Sequence, residues 1–510
     1  MSERKNKKRK KGGNFSRRKF LATTGSAAAA FTIVPRHVLG GPGYQAPSDM
    51  VNVAGIGVGA RGAQDIAGFA DPDVPIERPV RTATGQPLTP EEIAQMEARR
   101  AEFARRRAQQ QQRQGEQQQR PQPQQEEEPR HIANIYALCD VDTEFAGYVF
   151  KGYPKAKVYQ DFRKMLDNEP EIDAVMIATP DHTHAVIAAY AMQMGKHVYV
   201  EKPMCKTIHE CRKLKAMAQE TGVVTQMGNQ GHATEGSRMT AEWIQSGAIG
   251  PVREIHMSTN RPIWPQGDIE RPEGVPVPDS LAWDVWLGPA PEKPYHPDIC
   301  HFNWRGLWDY GTGAMGDMGA HILDAAVWSL KLPLPTKIQA SCSRYNEEFL
   351  PLAQMLTYEF PERDGMPPVK MTWVDGGLRP PRPPELEPGR VVEDAVYLGE
   401  KGVIMHRSHG AEPHLVPDAA MEAFEPPEPW IPRTGDIYED FVDAIKNGRK
   451  ASNDFTISAH LAEIMLLGNI AVLTANRNTT LEYDGAKGQF TNLPEANDLL
   501  HYEYRAGWSL

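Results

Sequence analysis

The stretch "DMVNVAGIGVGARGAQDIAGFA", residues 49–70, constrains this chain more than any other. A short apolar strand, Val51 to Ile56, runs into three glycines, Gly57, Gly59 and Gly62, which open a helix. Glycine suits this turn because the chain must reverse tightly, let a pyrophosphate approach the backbone and pack the helix against the strand. The start of that helix then faces the phosphates with free N–H groups. Gly57, Gly59, Arg61 and Gly62 are therefore candidate cofactor contacts. The same fingerprint calls for an acid about 20 residues further on, at the end of the second strand. Asp140 ends the next such strand, "HIANIYALCDVD", but lies 78 residues beyond Gly62. Treating residues 71–130 as an insertion of 60 residues leaves 18, which restores the spacing. An acid there can bind both ribose hydroxyls and repels a 2′-phosphate, so NAD is favoured over NADP. Asp142 competes with Asp140 for this role.

The insertion begins its middle part with the helix-start signature Thr89-Pro-Glu-Glu and passes into a Gln/Arg/Glu tract too poor in apolar residues to bury. It reads as part helix and part disordered, projecting from a surface loop. From residue 132 onward apolar strands alternate with helices of 10 to 15 residues: "DAVMIATP", "HAVIAAYAMQMG", "HVYVEKP", "IHECRKLKAMAQET" and "GVVTQMGN" follow in turn. That alternation predicts a doubly wound parallel sheet over residues 49–228. Beyond Asn229, runs such as "VREIHMSTNRP", "KIQASCSRYN", "MLTYEF", "VKMTWVDGG" and "AVYLGEKGVIMHR" are separated by turn signals, with few helices. Residues 229–510 therefore read as an α+β domain with a mainly antiparallel sheet, and the chain as α/β overall.

The amino terminus reads as an address. Residues 1–41 hold the pair Arg17-Arg18 ahead of an apolar run from Phe20 to Ile33, then the turn-prone "PRHVLGGPG". The order matches a twin-arginine export signal, which carries proteins across a bacterial membrane already folded; a basic solvated tail is the alternative. The run is shorter than the ~20 residues a spanning helix needs, and no longer apolar run follows, which predicts a protein that does not stay in the membrane. Residues 1–40 carry eleven Lys/Arg against one acid, so the net charge of -10 leaves about -20 on the rest. A body that acidic excludes nucleic acid as a partner. The five cysteines, Cys139, Cys205, Cys211, Cys300 and Cys342, form no C-x-x-C pair and suit a chain that folds in a reducing compartment before leaving it.

Two further constellations carry chemistry. In "VYVEKPM", Glu201, Lys202 and Pro203 stand at the C-terminal end of a strand, where ligands of doubly wound sheets bind. Lys202 there can hold a substrate hydroxyl beside an oxidised nicotinamide; a solvated lysine fits the position equally. In "GTGAMGDMGAHILDAAVWSL", Asp317 and His321 are four apart and share a helix face, with Asp324 a further turn along. Oxidation of a secondary alcohol needs a base for the hydroxyl proton, a role that suits His321, with Asp317 orienting it or binding a neighbouring hydroxyl. A capping Asp and a buried His are the structural alternative. Neither this pair nor Asp181, His182 and His184 in "ATPDHTH" makes a closed ligand set, so no metal is expected.

Taken in order, the glycine turn, "ATPDHTH", "VEKPM", "GDMGAH", "GNIAVLTANRNTTLEYD" and "EANDLLHYEYRAGW" resemble the glucose-fructose oxidoreductase / inositol dehydrogenase / MocA (Gfo/Idh/MocA) family from about residue 49 to the end. The resemblance implies a Rossmann domain and a second domain with a large, open, mainly antiparallel sheet often used for homo-oligomers. It implies NAD(P)-dependent oxidation of a sugar or polyol, with Lys202, Asp317 and His321 as the catalytic set. Thr179, Pro180 and His184 would line the nicotinamide side, and Glu201 would help hold the cofactor. His232 in "GNQGHATEG" and the aromatic stretch with Trp304, Arg305, Trp308 and Tyr310 are candidate substrate contacts, or equally packing residues. Free NAD is scarce outside the cytoplasm, so export implies a tightly held cofactor. Such a cofactor either cycles between two substrates or serves a transient oxidation whose net result is hydrolysis, elimination or epimerisation. A carbohydrate-binding protein that has lost the chemistry is the reading from another class, and the intact Lys202, Asp317 and His321 speak against it.

Overall fold

In the computed structural model, which describes residues 50–77, 129–510 and scattered positions between 79 and 98, the alternating segments build a six-stranded parallel sheet. Its strands are β1 (Asn52–Ile56), β2 (Asn134–Cys139), β3 (Lys157–Tyr159), β4 (Ala174–Ile177), β5 (His197–Val200) and β6 (Thr225–Met227). They lie in the order β3-β2-β1-β4-β5-β6, the arrangement of a dinucleotide-binding sheet whose strand order reverses between β1 and β4. Four helices connect them along the chain: α1 (Arg61–Phe69) after β1, α3 (Phe162–Asn168) after β3, α4 (Asp181–Gln193) after β4 and α5 (Ile208–Thr221) after β5. A short α2 (Gly147–Gly152) stands between β2 and β3. Every residue of β4 is buried, as a strand covered on both faces requires. The three-residue edge strand β3 has no apolar run to announce it.

The expected insertion leaves and rejoins the fold at one place. The Asp71 N–H donates to the Arg130 carbonyl at 2.8 Å, and the Arg130 N–H returns a bond to the Asp71 carboxylate at 2.6 Å. With its ends closed, β1 pairs directly with β2, Ile56 opposite Cys139, which brings Asp140 beside the glycine turn. The export signal and most of the insertion lie outside the described residues.

The second sheet has nine strands: β7 (Val252–Ser258), β8 (Lys337–Cys342), β9 (Gln354–Phe360), β10 (Val369–Val374), β11 (Ala395–Gly399), β12 (Val403–Arg407), β13 (Ala411–Val416), β14 (Leu481–Asp484) and β15 (Gln489–Phe490). Their order is β13-β12-β11-β7-β10-β9-β8-β14-β15, with β7 and β10 the one parallel pair. The central strands alternate buried and exposed positions, so one face packs on helices and the other is open.

Five more helices position the site: α6 (Glu235–Gln245), α7 (Gly313–Ile322), α8 (Asp324–Ser329), α9 (Ile437–Asn447) and α10 (Phe455–Leu473). The last of these corrects the expectation that no long apolar segment follows the signal. It has 19 residues and is apolar enough to cross a membrane, but 78% of it is buried inside the fold. It packs on α5, β8 and α7, so its hydropathy belongs to a core helix joining the two sheets. Burial of each large aliphatic side chain there is worth roughly 1.5–3 kcal/mol. Helix α9 also returns to the first sheet, where Ile437 and Phe441 join the core beneath α1. All five cysteines are free, four of them buried.

Candidate active site

One cavity of about 310 Å³ opens at the C-terminal ends of β1, β2, β4 and β5. At one end it is lined by Gly57, Gly59, Ala60, Arg61 and Asp140. Gly57 adopts φ +80°, and a Cβ at Gly62 would stand 2.2 Å from the Gly57 carbonyl oxygen, so the turn and α1 pack at a separation only glycine allows. Helix α1 is preceded by Ala60 and has no side-chain cap, whereas α5 and α9 each have a full capping box. Its first N–H groups are thus left for a ligand. The Asp140 carboxylate accepts from the Gly59 N–H at 2.8 Å and from the Asp142 N–H at 3.1 Å, and burial raises it above the ordinary carboxylate range. Asp142 does not compete for the ribose position. It turns to His301, 3.0 Å away; burial opposes its charge, but His301 and the Phe145 N–H push it down to about 2. The uncapped helix, the close-packed glycines and the single inward acid fit a dinucleotide bound through pyrophosphate and ribose.

The other end of the cavity holds charge. Lys202 follows β5 and donates from Nζ to the Asp317 carbonyl at 2.8 Å and to Asp317 Oδ1 at 2.9 Å, each side chain 15% exposed. Arg305 and Arg261 stand 3.6 Å from the same carboxylate. Burial opposes the Asp317 charge, but Lys202 and Arg305, with Arg261, hold it below the usual range. Glu201 accepts from Arg61 Nε at 3.0 Å, and Arg61 also pairs with buried Asp65 at 2.8 Å, so Glu201 lines the cavity with its charge committed to Arg61. Asp181 fastens α4 to the start of α7: its carboxylate accepts from the Thr312 N–H and hydroxyl at 3.0 and 2.6 Å. Asn469 of α10 holds the Thr312 carbonyl at 3.1 Å, and these bonds fix the helix that presents Asp317.

His321 lies one turn beyond Asp317, buried behind the cavity wall, with Nδ1 lacking a partner. Burial, then the Lys202 and His409 charges, push its imidazolium form well below the ordinary range. Its ring stacks on His409 at 4.0 Å between centroids. His409, in the turn between β12 and β13, is a residue that motif reading missed; it holds a left-handed backbone, φ 66°, unusual for a side chain of its size.

Thr179, Pro180, Trp304 and Arg305 line the cavity as expected from sequence, with Arg305 stacked 4.3 Å over Trp304. Gly62, His321 and Trp308, whose ring lies 4.1 Å beneath the Lys206 ammonium, do not line it, and three more candidates are taken by other partners. The His184 nitrogens lie 2.6 and 2.8 Å from the Pro203 and Thr179 carbonyls, so this ring ties two wall loops together from behind. Tyr310 is fully buried against Trp286 and His182, its hydroxyl accepting from Arg271 at 3.1 Å. His232 faces a separate cavity, with Nδ1 2.9 Å from Asp324 and its ring stacked on Trp328. In each case buried polar neighbours claimed the side chain. His182 is similar: its nitrogens lie 3.3 and 2.9 Å from the Tyr310 and Trp286 carbonyls, and burial pushes it down to about 4. Among the described residues no three His, Cys, Asp or Glu gather to hold a metal.

Residues 108–229 match the family model described as "Oxidoreductase family, NAD-binding Rossmann fold", and residues 261–366 match that family's "C-terminal alpha/beta domain". The chain belongs to the Gfo/Idh/MocA oxidoreductase family. The first match begins inside the insertion, so the glycine turn joins the Gfo/Idh/MocA NAD-binding domain through strand pairing, β1 lying between β2 and β4. Among relatives, a 1-carboxy-3-chloro-3,4-dihydroxycyclohexa-1,5-diene dehydrogenase of Comamonas testosteroni is 38% identical over 20% of this chain and 26% of its own. The scyllo-inositol 2-dehydrogenase (NADP(+)) of Bacillus subtilis is 24% identical over 42% of this chain and 50% of its own. A levoglucosan dehydrogenase of Pseudarthrobacter phenanthrenivorans is 25% identical over 37% and 40%. The chain thus spans a quarter to a half of the length of these relatives. In fold it is similar to an NAD-binding protein from Listeria innocua, with TM-score 0.52 and 15% identity over 85% of this chain and 97% of that one. It is also similar to the WlbA dehydrogenase from Bordetella pertussis, solved with NADH and UDP-GlcNAcA, with TM-score 0.50 and 15% identity over 85% and 98%.

Proposed function

We propose that this protein oxidises a secondary alcohol of a sugar or polyol with NAD. One observation carries the reading: the cavity that touches the glycine turn and Asp140 also touches Lys202 and Asp317. The glycine turn and the start of α1 would hold the pyrophosphate, and Asp140 the ribose, where a carboxylate disfavours the 2′-phosphate of NADP. When bound, the nicotinamide supplies a hydride acceptor for the carbinol carbon. Lys202, fixed by Asp317, donates a hydrogen bond to the substrate oxygen. His321, one turn further along α7, kept neutral by its surroundings and with Nδ1 unpaired, is the base proposed for the hydroxyl proton, which has to reach it past the cavity wall. The Arg305 guanidinium, stacked over the Trp304 ring at the cavity wall, is placed to donate to a sugar hydroxyl.

The amino-terminal Arg17-Arg18 signal supports a second part of the reading: the chain loads its nucleotide, folds, and leaves by the twin-arginine route to work in the periplasm with a retained cofactor. The open face of the nine-stranded sheet is the surface proposed to pair with a second copy. A panel of sugars and polyols assayed with NAD and NADP tests the activity. The reading expects reduction of NAD with at least one of them, abolished in Lys202→Ala; turnover surviving in that variant overturns the assignment.

A further inference from the structure

The carboxy-terminal motif "HYEYRAGW" has no part in the catalytic set, yet it reaches the cavity. We infer that the nucleotide site is completed from outside the Rossmann sheet, by Trp508 of the C-terminal tail and His301 of the segment that precedes α7. This inference rests on the reading of the cavity as a nucleotide site. The end of the cavity at Asp140 is walled by Phe145, Gln160, Phe162, His301 and Trp508. Four of these present aromatic rings, the chemistry that takes the flat faces of an adenine base. The His301 ring lies parallel to Phe145, 4.0 Å between centroids and 14° between planes, and its Nε2 stands 3.0 Å from Asp142. The segment is stitched to the loop after β2: the Ala282 N–H donates to the Val141 carbonyl at 2.8 Å and the Thr143 N–H to the Ser280 carbonyl at 3.1 Å.

The tail is fastened to the same segment. The Arg505 N–H donates to the Pro289 carbonyl at 3.0 Å, its Nε to the Gly288 carbonyl at 3.1 Å and a terminal nitrogen to the Asp284 carbonyl at 2.6 Å. Beyond this anchor, Trp508 lies against Phe162 with the Arg163 guanidinium 4.6 Å over its ring. Two elements far apart in sequence therefore form one roof over the ribose end. A nucleotide bound beneath it leaves when the tail lifts, which makes release slow and suits a cofactor retained through many turnovers, each NADH being reoxidised in place by a carbonyl-bearing second substrate.

The test follows release of NADH from the loaded full-length protein by the loss of its fluorescence enhancement on chasing with excess NAD. Trp508→Ala and Arg505→Ala should release NADH at least tenfold faster than the parent, and Trp508→Phe should stay within about threefold of it. Arg505→Ala matters because it leaves the cavity lining intact and acts only through the anchor. Thermal melts of the three variants, expected to match the parent, separate roof loss from unfolding. If both alanine variants release at the parental rate, the tail is no part of the site. If the parent itself takes up no NADH, the nucleotide reading falls, and this inference with it.

Discussion

Lys202, just past a strand end, and Asp317, in the middle of a helix, are 115 residues apart, and the pair depends on α7 being pinned at Thr312 by Asp181 and Asn469. Removing the ammonium leaves Asp317 to Arg305 and Arg261, so Lys202→Ala should lower kcat by about 10²- to 10⁴-fold while NAD binding, read by calorimetry, changes little. His321 has a definite pH signature. Its imidazole is held well below the ordinary 6.5, chiefly by burial and then by Lys202, His409, Arg61 and Arg261. The folded protein therefore keeps it neutral where an unfolded chain would protonate it. Its contribution is present above the unfolded value and lost as pH falls through the window below 6.5. The acid limb of the pH–rate profile should accordingly lie well below that value. His409→Phe keeps a stacked ring but removes a charge that depresses His321, so the limb should move upward; an unmoved limb would separate His409 from the site.

Individual residues also mark what the sequence could not say. The four-residue spacing of Asp317 and His321 put both on one helix face, but whether each reaches a cavity depends on what stands opposite. Asp317 meets Lys202, whereas His321 meets His409 from a loop 88 residues later in the chain. His184, Tyr310 and His232 sit in motifs rich in polar residues, and nothing local tells that carbonyls, Arg271 and Asp324 take their polar atoms. Asp140 was legible because the strand-end position and the insertion length are both matters of counting.

At the scale of elements, the glycine turn and the insertion make separate demands. A Cβ at Gly62 meets a backbone oxygen that cannot swing aside, so Gly62→Ala should destabilise the fold by about 1–3 kcal/mol and weaken nucleotide binding, measured by urea unfolding and calorimetry. The insertion, in contrast, is closed by the Asp71–Arg130 hydrogen bonds. Replacing residues 78–128 by a short glycine linker should change stability by no more than about 2 kcal/mol, since each halving of loop length is worth about 0.6 kcal/mol. Loss of folding in that variant would make the segment part of the core architecture. The alternation of strands and helices was readable because each buried strand carries an apolar run, while β3, exposed at the sheet edge, carries none. Helix α10 was missed because His460, Glu463 and Asn469 interrupt its apolar run. Asn469 bonds the Thr312 carbonyl and Glu463 pairs with Arg212, so these polar residues are working parts of a buried helix.

At the scale of the molecule, the two sheets meet where the chemistry is. The first sheet supplies the glycine turn, Asp140 and Lys202; α7, held between both by α10, supplies Asp317. The C-terminal tail then returns to the first sheet, where Trp508 lines the same cavity as Asp140. That enclosure and the amino-terminal arginine pair support one proposal, that a nucleotide travels with the protein. The most direct measurement is the nucleotide content of the protein purified from the exported fraction, followed by addition of an oxidisable sugar without added NAD. Near-stoichiometric NAD(H) is expected in the acid-released supernatant and, with sugar, reduction of the bound cofactor in the wild-type protein but not in Lys202→Ala. Exported protein that carries no nucleotide, and takes none up when NAD is supplied, would contradict the proposal.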